Sequence, residues 1–172
     1  YTALYAGGVI SFEDGVRLVM ERGQAMQAAA DATKGSMVSI LGLDEEKTRQ
    51  LCVQAAQEDV LEPVNFNCPG QIVISGSIGA CERAEKLAPE LGAMKAIKLE
   101  VAGAFHTNMR ASAAERLGKA LAHCQINAFG KVRTMSNINA GYYQDPTSVV
   151  EGLKKQLTSA ILWQKCMERL LA

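Results

Sequence analysis

From Ser11 onward, apolar residues recur at helical intervals. Phe12, Val16, Val19, Met20 and Met26 fall on one side of a helix, and Ser11 with Asp14 three residues later makes a capping box at its start. Those five apolar residues form the expected buried stripe. Arg22 comes three residues after Val19 and four before Met26, so a cation is expected along the same side; Gly23 beside it leaves room for a close neighbour. Past Gly35 the period changes. "SMVSILGL" reads as a strand and "DEEKTRQLCVQAAQED" as a helix capped by Asp44. "VLEPVNFN" and "QIVISG" read as strands joined by a type II turn through Cys68, Pro69, Gly70 and Gln71. "SIGACERAEKLAPEL" reads as a second helix, stopped by Gly92. In "KAIKLEV", Ile97, Leu99 and Val101 alternate with Lys98 and Glu100, as in a strand.

Strand, helix, strand, strand, helix, strand is the ferredoxin-like order. Residues from about 36 to about 100 are therefore expected to form a small α+β subdomain inserted in another structure. Beyond it the pattern predicts a helix from Thr107 to about His123, a strand "KVRTMSNI", and a helix from Thr147 to the end. No internal repeat, low-complexity tract or flexible linker interrupts the chain. It begins at Tyr1 in mid-element and stops inside an amphipathic helix, so it is expected to be a piece of a longer protein.

Composition narrows the function classes. Lys+Arg and Asp+Glu each number 18, for a formal net charge of zero. Neither nucleic acid nor an anionic membrane is an expected partner, because no net field draws a polyanion. A bound anion must instead be held by a local site. No apolar run reaches the length of a membrane span, and no signal peptide is visible. The five cysteines are odd in number, widely spaced and without C-x-x-C, which reads as reduced thiols of a cytosolic protein and not as a metal site.

Candidate chemistry is concentrated at two residues. His106 lies in "VAGAFHTNMR", a small-residue loop between a strand and a helix, where it is either a general base or a packed ring. Arg22 either snorkels out of an apolar helix face or offers its planar fork to a carboxylate. A nucleophile is missing from the pattern. Ser77 follows a strand as an elbow serine would, but Ser75 replaces the first glycine of G-x-S-x-G, and Ser77 is better read as a helix N-cap. No cysteine sits in a cationic setting that would make it a thiolate. "NFNCPGQ" is most simply a hairpin turn. A noncatalytic module that binds a small carboxylate or a partner remains open on these residues alone.

"ERGQAMQ", "VNFNCPGQIVISG", "GAFHTNMR" and "SNINA" stand in the order and spacing of the malonyl-CoA:acyl-carrier-protein transacylase family, which the whole chain resembles. "QLTSAILWQKCMERL" looks like that family's closing helix, where N-P-V-x-W is more usual. The resemblance implies an α/β-hydrolase-like large domain, formed in part by 1–35 and 101–172, with a ferredoxin-like subdomain inserted at 36–100. It implies transfer of a malonyl group from malonyl-CoA to the phosphopantetheine thiol of acyl carrier protein, in fatty acid or polyketide biosynthesis. The nucleophilic serine would lie upstream of Tyr1, so this chain alone is expected to be inactive. His106 would be the catalytic base, with its ring oriented by the main-chain carbonyl of Leu162. Arg22 would hold the malonyl carboxylate, Met26 and Phe105 would wall the acyl pocket, and Asn67 would line it. No metal or redox cofactor is implied, and the parent protein is expected to be cytoplasmic and monomeric. A degenerate homologue acting only through partner contacts is the remaining alternative.

Overall fold

The computed structural model describes every residue from Tyr1 to Ala172. A short helix α1 (Thr2–Ala6) leads into the long α2 (Phe12–Ala32). Then come β1 (Ser36–Leu41), α3 (Glu45–Ala56), β2 (Leu61–Cys68), β3 (Gln71–Gly76), α4 (Ile78–Leu87) and β4 (Lys95–Lys98). The rest is α5 (Ala111–Leu121), β5 (Met135–Ser136), β6 (Gly141–Tyr142), α6 (Pro146–Lys155) and α7 (Trp163–Leu171). No helix is long and apolar enough to cross a membrane.

Strands β1 to β4 form one sheet in the order β2-β3-β1-β4, with every pair antiparallel. That order follows from two strand-helix-strand units joined by the β2–β3 hairpin. Gly70 takes φ +77° in its turn, a conformation that costs a Cβ-bearing residue more than it costs glycine. The caps read from the sequence are present: Asp44 accepts from the Lys47 N–H at 2.8 Å, and Ser77 from the Ala80 N–H at 3.1 Å. Helices α3 and α4 cover one face of the sheet through Val38, Ile40, Leu51, Ile74, Ala80 and Ala84, which with neighbouring residues form one buried cluster. A second cluster joins α1, α2, α5 and α6 through Leu4, Leu18, Ala25, Leu117 and Leu153. On the other face of the sheet, Met37, Val64 and Val73 receive Leu99 and Phe105.

Several expectations are corrected here. The stripe Phe12, Val16, Val19 and Met20 is exposed, each residue at half or more of its surface. The buried side of α2 is instead Leu18, Ala25 and Ala29, the two alanines letting α5 pack against it. Arg22 lies four residues after Leu18 and three before Ala25, so it points along this buried side and not along the Phe12 stripe. Nothing approaches Gly23. The expected strand "KVRTMSNI" shrinks to the two residues of β5, for which the chain offers only β6 as a partner. The expected terminal helix is broken: between α6 and α7, residues 156–162 leave the helix, and Ile161 pairs with β2. Its N–H donates to the Val64 carbonyl at 2.7 Å, and its carbonyl accepts from the Phe66 N–H at 2.9 Å.

The chain enters β1 beside the point where it later runs into the His106 loop. A Cβ on Gly35 would lie 2.8 Å from both the Ala104 nitrogen and the Gly76 oxygen. Gly35→Ala is therefore expected to destabilise the protein by about 1–3 kcal/mol, the usual cost of overpacking. A lowered denaturant midpoint at unchanged slope would show it; an unchanged midpoint would mean that this junction yields freely.

Candidate functional site

His106 occupies the end of a short irregular run after β4. Ala104 is fully buried and Phe105 packs on the sheet, so the ring is carried on an anchored loop. Its backbone takes φ +61°, a left-handed conformation uncommon for any residue but glycine. Such strain persists only where surrounding contacts hold it. The next residue, Thr107, caps a single 3-10 turn (Asn108–Arg110) by accepting from the Met109 N–H at 3.3 Å. Helix α5 follows directly.

His106 is 7% exposed. Its Nδ1 lies 2.7 Å from the Gln156 main-chain oxygen. A carbonyl only accepts, so Nδ1 carries the hydrogen and Nε2 presents its lone pair. Nε2 is thus the acceptor nitrogen of this tautomer. Burial holds the ring pKa below its ordinary 6.5, and Arg22 pushes it the same way, while the carbonyls of Gln156 and Ser159 pull it back up. The neutral, proton-accepting form is favoured.

Leu162 does not orient this histidine. Leu162 stands at the N-cap of α7, and its carbonyl accepts the Cys166 N–H at 3.0 Å. Gln156 is the C-cap of α6, where a carbonyl has no helical donor left to meet it and is free for the ring. The Gln156 side chain donates to the Ser159 and Ala160 carbonyls at 3.0 and 3.2 Å, which steadies the turn. The sequence signal was a helix end before "TSAIL", hidden by reading one continuous helix.

His106 and Arg22 line the same cavity, of about 520 Å³. Tyr1, Arg133, Asn137, Tyr143, Gln156 and Trp163 are also in its wall, and no Asp or Glu is. The ion pairs of the molecule join Arg17 to Asp14, Arg49 and Lys165 to Glu45, Arg83 to Asp59, and Arg116 to Glu21. Arg22 is in none of them, and Arg133 lies over the Tyr142 ring at 4.1 Å instead of meeting an acid. Burial pushes the Tyr1 phenol up to about 12, so it stays neutral. Burial also raises the Cys166 thiol, so this lining cysteine is no thiolate. The cavity is cationic at both arginines, has one neutral base, and suits an anion.

Met26, Phe105 and Asn67 are not in this wall. Met26 packs on the helical core, and Phe105 turns its ring to the sheet and to Arg110. Asn67 lies near the end of β2, half-buried. Arg133 and Tyr143 were not singled out in the sequence, where nothing marks them apart from other surface residues.

A neutral histidine and two arginines thus face one cavity that no acid lines. Comparison with known proteins is more specific. No family model matches the chain. The malonyl CoA-acyl carrier protein transacylase of Bacillus subtilis is 39% identical over 173 residues, covering 100% of this chain and 54% of that protein. The crystal structure of malonyl-CoA:acyl carrier protein transacylase from Xanthomonas oryzae superposes with a TM-score of 0.93 at 40% identity, over 99% of this chain and 54% of that one. A malonyl-transacylase in complex with its type II PKS acyl-carrier protein superposes with a TM-score of 0.91 at 32% identity, over 98% of this chain and 54% of that one. The chain is similar to the malonyl CoA-acyl carrier protein transacylases and spans about half the length of the curated relatives it matches.

The depressed His106 pKa has a measurable consequence. Stability due to the neutral ring is complete above the unfolded value of 6.5 and is lost as the pH falls through the lower folded value. Between about pH 7.5 and about pH 5.5 the wild-type chain should lose more stability than His106→Gln, whose side chain does not titrate. Equal losses in denaturant melts of the two proteins would show that burial does not disfavour the imidazolium.

Proposed function

We propose that this chain supplies the base and the carboxylate clamp of a malonyl transferase that moves malonyl from malonyl-CoA to the phosphopantetheine thiol of acyl carrier protein. The observation that carries this reading is the shared cavity: Arg22 without an acidic partner, His106 with Nδ1 tied down, and no acid in the wall. Relatives named for that reaction, one of them solved with its acyl-carrier protein, support the substrate and the partner.

In this reading a serine from another part of the protein attacks the thioester carbon while His106 Nε2 takes its hydroxyl proton. The C–S bond breaks, His106 returns the proton to the departing sulfur, and a malonyl-serine ester remains. The phosphopantetheine thiol then gives its proton to Nε2 and attacks the ester, and His106 reprotonates the serine. Arg22 binds the free carboxylate through both steps, which favours malonyl over acyl groups that lack one. Met26, Phe105 and Asn67 take second place as acyl-pocket walls, since none faces the cavity in this structure. Base and cation are side chains, so the steps call for no metal or redox group.

The architecture proposed with this function is an α/β-hydrolase-like large domain, to which 1–35 and 101–172 contribute, carrying a ferredoxin-like insert at 36–100. Two separate buried clusters and the β2-β3-β1-β4 strand order support that division. Five unpaired cysteines support a cytoplasmic protein, and we take the parent to be monomeric.

The decisive experiment uses a full-length protein containing this chain. Arg22→Ala should lower kcat/KM for malonyl transfer by about tenfold to a hundredfold, the value of a charge-assisted contact. Acetyl transfer should hold or rise, because acetyl has no carboxylate to strand. Parallel loss of both would refute the clamp. In the same protein His106→Ala should nearly abolish transfer with the fold intact. A folded variant that turns over normally would remove His106 from the mechanism.

A further inference from the structure

Arg110 is wholly withdrawn from solvent, and no carboxylate answers it. Its Nη1 donates to the carbonyls of Ala29, Thr33 and Met109 at 2.9, 3.3 and 3.2 Å. The first two belong to the last turn of α2 and the residue capping it, where unsatisfied carbonyls carry the negative end of the helix dipole. The guanidinium carbon stands 5.3 Å from the centre of the Phe105 ring, an attractive arrangement that strengthens away from water. Gly103 makes the approach possible, since a Cβ there would collide with Nη2. Nε and Nη2 have no partner. An arginine in the interior without a carboxylate is costly, and all that compensates this one is the end of α2, one carbonyl of its own turn, and the ring that precedes His106.

We propose that Arg110 is a positioning residue. It clamps the end of α2, the helix that carries Arg22, to the loop 103–106, and through Phe105 it holds His106 in the left-handed conformation that brings Nδ1 onto the Gln156 carbonyl. An apolar side chain of the same length fills the volume but cannot bridge helix carbonyls to an aromatic face. The significance of the clamp rests on the reading of His106 as the base, but the clamp itself is tested without any transfer reaction, so the two can fail separately.

The test is made on the 172-residue chain by recording histidine ring nitrogens by NMR. His123, which is exposed, serves as the internal control. In the wild type, His106 should show a single Nδ1–H tautomer. In Arg110→Met its two nitrogen shifts should move toward the averaged values of a free imidazole while those of His123 stay put. The Tm should be kept or raised, because apolar replacement of a buried charge is often neutral or stabilising. Arg110→Lys should fall between, keeping charge and losing the fork. Phe105→Leu, which removes the stacked ring and spares every hydrogen bond, should also loosen the tautomer. A folded Arg110→Met with wild-type His106 shifts overturns the proposal whatever its Tm, since a lower Tm alone is what a merely structural arginine gives. Should that variant not fold, wild-type shifts in both Arg110→Lys and Phe105→Leu overturn it equally.

Discussion

The hydrogen bond from His106 Nδ1 to the Gln156 carbonyl joins residues 50 positions apart and sets the chemistry of the cavity between them. It assigns the tautomer, and so leaves Nε2 as the acceptor. It also holds a backbone conformation at His106 that local sequence alone disfavours. Both partners are pinned independently. The histidine sits on a loop fastened by Ala104 and Phe105, and the carbonyl sits at a helix end whose side chain braces the following turn. Loss of either anchor would free the ring to exchange tautomers, and a base that exchanges tautomers spends part of its time with no lone pair facing the cavity.

The two packing units meet where this contact is made. Gly35 and Ala104 pass each other at the entry and exit of the four-stranded sheet, and Ile161 pairs with β2 a few residues beyond Gln156. The sheet thus touches the segment before the histidine and the segment after its acceptor. Its role at the site is to fix their separation, since none of its own polar side chains enters the cavity wall.

Two arginines at the edge of the core meet different surroundings. Arg110 is fully enclosed, and helix-end carbonyls with an aromatic face take up its charge. Arg22 is only half-buried and opens on a cavity without acids, so its donors remain available to an incoming carboxylate. Sequence position did not predict which would be which: Arg22 drew notice as a cation on an apolar helix, whereas Arg110 drew none.

Much of the fold was legible in the chain because local signals coincide with it. The short apolar runs of β1 and β3, the Asp44 and Ser77 caps, and the glycines at 70 and 92 mark elements whose limits are set by nearest neighbours. His106 and Arg22 were legible as well, being chemically out of place where they stand. The buried face of α2 was misread, because hydrophobic spacing cannot tell a stripe that packs from one that stays exposed, and alanines at 25 and 29 carry little hydrophobic weight while allowing the closest helix approach. The terminal helix was misread because its break at 156–162 is made by pairing with β2, a partner some 95 residues earlier in the chain. The orienting carbonyl went to the wrong residue for the same reason. A main-chain oxygen has no sequence signature, and only the tertiary structure decides which one a helix end leaves unsatisfied within reach of a histidine.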